Sequence, residues 1–330
     1  MDNTNVLPLS ATHEQISRLK SHIGQQILGQ DQLITKLLVA LLADGHLLVE
    51  GAPGLAKTKA IKTLASALEG NYNRIQFTPD LLPGDLTGTE IYRPEDGSFE
   101  FQQGPIFSNL VLADEINRAP AKVQSALLEA MAERQTTVGK KTYELPKLFL
   151  VMATQNPIEQ EGTYPLPEAQ LDRFLMLIKI DYPQAATEHK ILQQARLEAE
   201  QNNQEPQIDY AISQQTIFAA RSESLKVHVS DGIEKYIIDL ILATRKPEKY
   251  SQELASWLRF GASPRATIAL DRCAKANAWL NQRDYVTPQD IHSIIYDVLR
   301  HRLILSFEAE AQGITNDDVI SKILELVAVP

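Results

Sequence analysis

The stretch Leu47-Leu48-Val49-Glu50-Gly51-Ala52-Pro53-Gly54-Leu55-Ala56-Lys57-Thr58 decides how the chain folds. A short apolar run enters a loop of small residues, after which Ala60, Ile61, Leu64, Ala65 and Leu68 recur at helical spacing. Strand, small-residue loop, Lys-Thr and helix is the arrangement of a phosphate-binding loop. Backbone N–H groups wrap the phosphates, Lys57 reaches the β/γ oxygens, and the Thr58 hydroxyl can ligate Mg²⁺. The general pattern has Gly immediately before the Lys, whereas this chain has Ala56. That position lies where the helix begins, so a right-handed conformation, which alanine adopts without strain, is expected there. Gly51 is expected to supply conformational freedom and Gly54 close backbone approach to phosphate. An ordinary strand–turn–helix with a coincidental Lys-Thr would read the same way in isolation, so the surrounding residues decide.

Five short apolar runs, at 47–49, 74–77, 110–113, 148–153 and 175–180, read as buried parallel strands. Helical patterns separate the first from the second and the third from the fourth, the logic of βαβ units. Upstream, residues 11–43 read as two helices around Ile27-Leu28-Gly29-Gln30. Two insertions interrupt the alternation. In the first, 78–104, segments 89–92 and 98–101 flank Pro94-Glu95-Asp96-Gly97 as a hairpin. In the second, within 135–146, segments 136–138 and 142–145 flank Gly139-Lys140-Lys141. After Asp181-Tyr182-Pro183 the pattern turns helical, over 186–199, 231–245, 264–282, 288–303 and 317–327, with a polar connector at 202–206. Ser263-Pro264 and Thr287-Pro288 each offer an N-cap followed by Pro at the first helical position, and Asp290 suits a first turn. The reading is an α/β nucleotide domain over 1–182 with a parallel five-stranded sheet, then an all-helical lid over 183–330.

With 330 residues the chain is long enough for two domains with cores of their own. Its net charge of −10 argues against a constitutive nucleic-acid surface. The single cysteine, Cys273, excludes an intrachain disulfide and falls in an apolar helical pattern, where a buried thiol is expected. The opening residues lack the basic and apolar segments of a secretory signal. The apolar region 33–49 is interrupted by Lys36, Asp44 and His46, so no membrane insertion is expected. The expected setting is a bacterial-type cytoplasm.

The third strand ends Leu110-Val111-Leu112-Ala113-Asp114-Glu115. Two carboxylates after four apolar residues are what a nucleotide site needs at the carboxyl edge of a parallel sheet. Asp114 would hold Mg²⁺ through water and Glu115 would polarise the attacking water. Taken alone, the pair is equally a strand exit capping the next helix; downstream of a phosphate loop the catalytic reading is favoured. The fourth strand ends Ala153-Thr154-Gln155-Asn156-Pro157. Asn156 can hydrogen-bond the water or the γ-phosphate, although Asn-Pro is in isolation a turn. Arg173, just before the fifth strand, fits either a salt bridge with Asp172 or Glu168 or an arginine finger presented to a neighbouring subunit.

Together, Gly51–Thr58, LVLADEINRAP at 110–120, ATQNP at 153–157 and LPEAQLDRF at 166–174 resemble the motif set of AAA+ ATPases of the MoxR family, in the helix-2-insert branch. The likeness continues into the lid through Gly261-Ala262-Ser263-Pro264-Arg265. MoxR proteins carry Ala before the loop Lys, so Ala56 fits the family while departing from the general pattern. The two hairpins correspond to the helix-2 insert and the pre-sensor-1 hairpin. The resemblance implies ATP and Mg²⁺ as cofactors, Asn156 as sensor 1, Arg173 as the arginine finger and Arg265 as sensor 2, acting on its own or a neighbour's nucleotide. Arg118 resembles a further family arginine of structural or interfacial role. Gly29 and Gln30 match the segment lining the adenine pocket, though a helix–turn–helix with a Gly C-cap is equally compatible. The family implies a homo-oligomer, usually a hexameric ring, and remodelling or maturation of proteins together with a von Willebrand factor A domain partner.

Two other helix-2-insert activities compete with that reading: a Mg-chelatase-like ATPase subunit and a nucleic-acid motor. The seven histidines show no metal-ligand spacing. His292 and His301 read as surface or satisfied core residues in a lid helix. Lys140-Lys141 reads as a solvated hairpin tip, with contact to a substrate in a ring pore as its alternative.

Overall fold

In a computed structural model, residues 10–52, 54–157, 162–200 and 211–330 are described. Pro53 of the loop and the connector at 202–206 lie outside the described residues. The chain opens with α1 (Ala11–Gln26) and α2 (Asp31–Leu42), followed by β1 (Leu47–Gly51), α3 (Lys57–Ser66) and β2 (Tyr72–Gln76). The first insertion holds α4 (Pro83–Thr87) and the hairpin of β3 (Gly88–Arg93) and β4 (Ser98–Gln103). Then come β5 (Leu110–Asp114), α5 (Ala121–Glu133), the hairpin of β6 (Gln135–Val138) and β7 (Lys141–Glu144), β8 (Leu150–Gln155), α6 (Glu168–Leu171) and β9 (Met176–Ile180). Beyond lie α7 (Ala185–Glu200), α8 (Gln214–Leu225), α9 (Asp231–Arg245) and α10 (Gln252–Trp257), followed by β10 (Leu258–Phe260), α11 (Pro264–Leu280) and α12 (Pro288–Leu299). The chain closes with β11 (Ile304–Leu305), α13 (Phe307–Ala311) and α14 (Asn316–Leu326).

The five apolar runs form one parallel sheet in the order β2-β5-β8-β1-β9. β1, β5, β8 and β9 are apolar at nearly every position because both faces are covered, whereas the edge strand β2 is buried only at Ile75 and exposes Asn73, Arg74 and Gln76. Leu47, Val49, Leu110, Leu112, Leu150 and Met152 point to one core, shared with α1, α2, α3 and the C-terminal helices. The alternate residues Leu48, Val111, Ala113, Val151 and Ala153 point to a second core under α5 and the first insertion. The register brings Glu50 beside Gln155 and Gln76 beside Asp114, so the strands end together along one carboxyl edge.

Ser263 caps α11, accepting from the Arg265 N–H, and Thr287 with Asp290 forms a capping box on α12, as their sequence positions imply. The C-terminal region is helical, with additions the sequence reading lacks: the helices α8, α10 and α13, and the strands β10 and β11, which pair antiparallel. The second hairpin also differs. Val138 pairs with Lys141, so Gly139-Lys140 is the turn and Lys141 lies in a strand. Gly139, at φ 61°, makes a two-residue turn possible, and such turns match the twist of the flanking strands. Phe101 of one hairpin stacks on Tyr143 of the other at 4.0 Å. Among the described residues no helix is long and apolar enough to cross a membrane.

Candidate active site

The loop after β1 delivers Lys57 back toward the strand it left: its Nζ donates to Gly51 O at 2.6 Å. Partial burial pushes the ammonium below the usual lysine range, an effect opposed by the carboxylates of Asp114 and Glu115. Those three groups therefore share one field. Thr58 follows in the first turn of α3, half-buried beside Lys57, while Ala52 and Leu55 are buried beneath the loop.

The two loop glycines differ in what holds them. A Cβ on Gly51 would lie 2.9 Å from Ile180 O, so this position is held by close approach to β9. Gly54 has φ 84°, a conformation that favours glycine, and nothing lies within 4 Å of where a Cβ would stand, which leaves its backbone open on that side. Ala56 corrects the reading made from helix propensity. It sits at φ 57°, ψ 17°, in the left-handed region, and its carbonyl accepts the first helical bond, from the Ala60 N–H at 2.9 Å. The chain reverses there to turn the loop into α3, which is why the general pattern has glycine; an alanine Cβ costs about 1–2 kcal/mol in this conformation. A second strained residue is Glu115, at φ 57°, ψ 50°, between β5 and the turn that follows. Non-glycine residues in this region concentrate where function demands a particular side-chain direction.

At the carboxyl edge one hydroxyl joins both acids. Thr154 Oγ1 donates to Asp114 Oδ1 at 2.6 Å and accepts from the Glu115 N–H at 3.0 Å. Arg74 pairs with Asp114 Oδ2 at 2.6 Å, and Gln76 donates to Glu115 Oε2 at 2.7 Å. Arg118 pairs with the same Glu115 oxygen at 3.1 Å, which places this arginine beside the carboxylate. Asn156 is buried just past the end of β8, and the neighbouring Gln155 amide donates to Glu50. Sequence reading missed Arg74, Gln76 and Thr154. Arg74 and Gln76 are two apart on β2, next to β5, so the period of the strand was their only signal. The Asp114 carboxylate and Thr58 hydroxyl are hard oxygen donors of the kind Mg²⁺ takes alongside phosphate oxygens and water, so the residues fit that ion.

Beside the loop a cavity of about 200 Å³ is lined by Gln30, Gly54, Leu55, Ala56, Pro183 and Ile191, among others. Gln30 reaches it directly. Gly29 is next to it in the chain and does not line it: its φ is 75°, and a Cβ there would collide with Thr187 Cγ2 on α7.

Arg173 and Arg265 lie elsewhere. Both line a cavity of about 330 Å³ together with Arg134, Arg272, Arg302, Asp44 and Asp172. Gly45 and His46, which precede β1, and Leu175, which precedes β9, also line it, so it opens at the amino edge of the sheet. From there to the loop is the length of β1, about 15 Å at the rise of a strand. Arg173 makes neither salt bridge that the sequence allowed. Asp172 instead accepts from Arg302 Nε at 2.7 Å and Ser263 Oγ at 2.8 Å, with Arg265 Nη1 at 3.8 Å. Arg302 is buried, and burial pulls its guanidinium below the ordinary range against the opposing pull of Asp172. It also donates to the carbonyls of Phe174 at 2.6 Å and Leu175 at 3.1 Å. Next to it, Arg300 Nη1 donates to Leu177 O at 3.0 Å and His301 Nε2 meets Phe174 O at 3.1 Å. Three consecutive residues after α12 thus clamp the segment that carries Arg173, including a carbonyl of the edge strand β9.

Residues 46–176 match the ATPase family associated with various cellular activities (AAA), and residues 254–323 match the AAA lid domain. The chain is 45% identical to Chaperone MoxR1 of Mycobacterium tuberculosis, over 98% of this chain and 84% of that protein. It is 34% identical to Protein MoxR of Paracoccus denitrificans, over 90% of this chain and 91% of the relative. A crystal structure of a candidate ATPase from Cytophaga hutchinsonii superposes with a TM-score of 0.89 at 48% identity, covering 97% of this chain and 96% of that one. With the phosphate loop, the paired acids and the helical lid already in place, the likeness spans nearly the whole chain: it belongs to the MoxR family of AAA+ ATPases.

Proposed function

We propose that this ATP hydrolase works as a homo-oligomeric ring in the cytoplasm, remodelling or maturing client proteins with a von Willebrand factor A domain partner.

 The assembly in this reading is a hexamer of identical chains, with residues 1–182 as the ATPase core and 183–330 as the lid. Lys57 and the loop amides bind the phosphates, Thr58 and Asp114 hold Mg²⁺, and Gln30 and Gly29 border the base. The bound ion supplies charge neutralisation at the phosphates. Glu115 takes the proton of the attacking water, which Asn156 orients, and the left-handed backbone at Glu115 fixes the direction of that carboxylate. Thr154, Arg74 and Gln76 hold the two acids apart in distinct roles, one tied down and one reaching out.

The observation that carries this reading is the position of Arg173 and Arg265. Both line the amino edge of the sheet, whereas Lys57, Asp114 and Glu115 gather at its carboxyl edge. Charge developing on a γ-phosphate at Lys57 is therefore out of their reach within one chain, and a neighbour's arginines complete the site. For Arg265 this favours action on the neighbour's nucleotide. The test is turnover and nucleotide binding in Arg173→Ala. Hydrolysis should fall about 10³-fold or more while nucleotide affinity holds, since an arginine finger acts on the transition state; retained turnover would contradict the assignment. The partner is tested by affinity capture with Glu115→Gln charged with ATP. Recovery of a von Willebrand factor A protein supports the reading, and recovery of nucleic acid alone contradicts it.

A further inference from the structure

The arginine cavity holds more cationic charge than the two recognised arginines supply. Five arginines and two aspartates line it, in a chain whose net charge is −10. Both aspartates are already engaged. Asp44 pairs with Arg134 and Arg221, each at 2.6 Å, and Asp172 with Arg302 at 2.7 Å. His46 adds no charge, because burial and the nearby Arg134 pull its pKa down to about 4. Asp271, next along α11, pairs with Lys275 at 3.0 Å. Arg173 and Arg272 have no carboxylate partner among the described residues, and Arg265 has only the 3.8 Å approach to Asp172.

Arg265 and Arg272 are seven residues apart on α11, two turns along one face and about 10.5 Å in rise. Between them on that face Ile268 is 54% exposed and lines the same cavity. An exposed isoleucine flanked by two arginines with little pairing is a face that a second surface covers, and its charge calls for an anion with several oxygens spread over its length. A single carboxylate would satisfy one guanidinium; a polyphosphate chain satisfies several.

We infer that Arg272 is a third phosphate-binding arginine, gripping the polyphosphate of the nucleotide carried by a second copy of the chain beside Arg173 and Arg265. This rests on the reading that the arginine cavity completes a neighbour's site. The experiment compares ATP turnover, nucleotide affinity and assembly by light scattering for Arg272→Ala, Arg272→Lys and Arg173→Ala. Arg272→Ala should lower turnover at saturating ATP about tenfold, with Arg272→Lys intermediate, because a lysine offers a point charge without the forked donors. Assembly and the affinity of the chain's own loop should hold. Adding Lys57→Ala chains, whose loop is dead but whose arginines are intact, should restore turnover at the Arg272→Ala loops. Wild-type turnover in Arg272→Ala beside an inactive Arg173→Ala would overturn the assignment of Arg272 and leave the shared-site reading standing. Wild-type turnover in both would remove that reading and this inference with it. A fall in turnover that tracks loss of assembly would assign Arg272 to packing and overturn the proposal.

Discussion

Arg302 donates from Nε to Asp172 Oδ1 at 2.7 Å, and this one bond joins the helical C-terminal region to the residue beside Arg173. Asp172 also accepts from Ser263, the N-cap of the helix that carries Arg265. One carboxylate thus sits between the two arginines and fixes their spacing. Removing the Arg302 partner leaves a carboxylate with little solvent, and breaking a buried pair costs about 3–5 kcal/mol. Arg302→Leu should lose that much stability in urea denaturation; a loss below about 1 kcal/mol, the range of an exposed pair, would contradict the role given to this bond.

Ala56 holds a conformation that disfavours it. Ala56→Gly should therefore stabilise the chain by about 1 kcal/mol, the left-handed penalty less the extra freedom glycine has when unfolded. Equilibrium unfolding of the two chains side by side measures this. A less stable glycine variant would show that Ala56 is not strained.

Glu115→Gln keeps the shape and the contact to Gln76 while removing the carboxylate proposed as the proton acceptor. ATP should still bind, and turnover should drop about 10²- to 10⁴-fold, the usual contribution of a general base. Near-normal phosphate release would place the base elsewhere.

His46 is buried, its Nδ1 accepting from the Val151 N–H at 3.0 Å and its Nε2 facing Met131 O at 3.3 Å. Its pKa falls from 6.5 to about 4, chiefly through burial. The unfolded chain binds this proton near pH 6.5 and the folded chain resists it. The stability is thus complete above pH 6.5 and is lost as the pH falls from there to about 4, amounting to about 3 kcal/mol. NMR of the imidazole should show it neutral at pH 5.5; titration near 6.5 would contradict the burial argument.

The strands, the loop and the acids announced themselves because each follows a local rule: apolar runs for buried strands, small residues before Lys-Thr, carboxylates at a strand end. The caps at Ser263 and Thr287 did so as well. Helix α8 did not, since its buried face is only Ile217, Ala220, Arg221 and Ser224, too polar to stand out as a stripe. Ala56 misled because propensity describes helix interiors, whereas the conformation there is imposed by the reversal of the chain. Arg74, Gln76, Thr154 and Arg302 were hidden for another reason: each acts on a residue at least 39 positions away, and only the tertiary fold brings the partners together.

The central claim is that each site is built from two chains. Lys57→Ala lacks the proposed phosphate contact but keeps its arginines, and Arg173→Ala keeps its loop but lacks the proposed finger. Each alone should be nearly inactive, and mixing them should restore ATP turnover at interfaces where an intact loop meets an intact Arg173. Turnover of the mixture no higher than that of the separate variants, in chains shown to associate, would contradict the account.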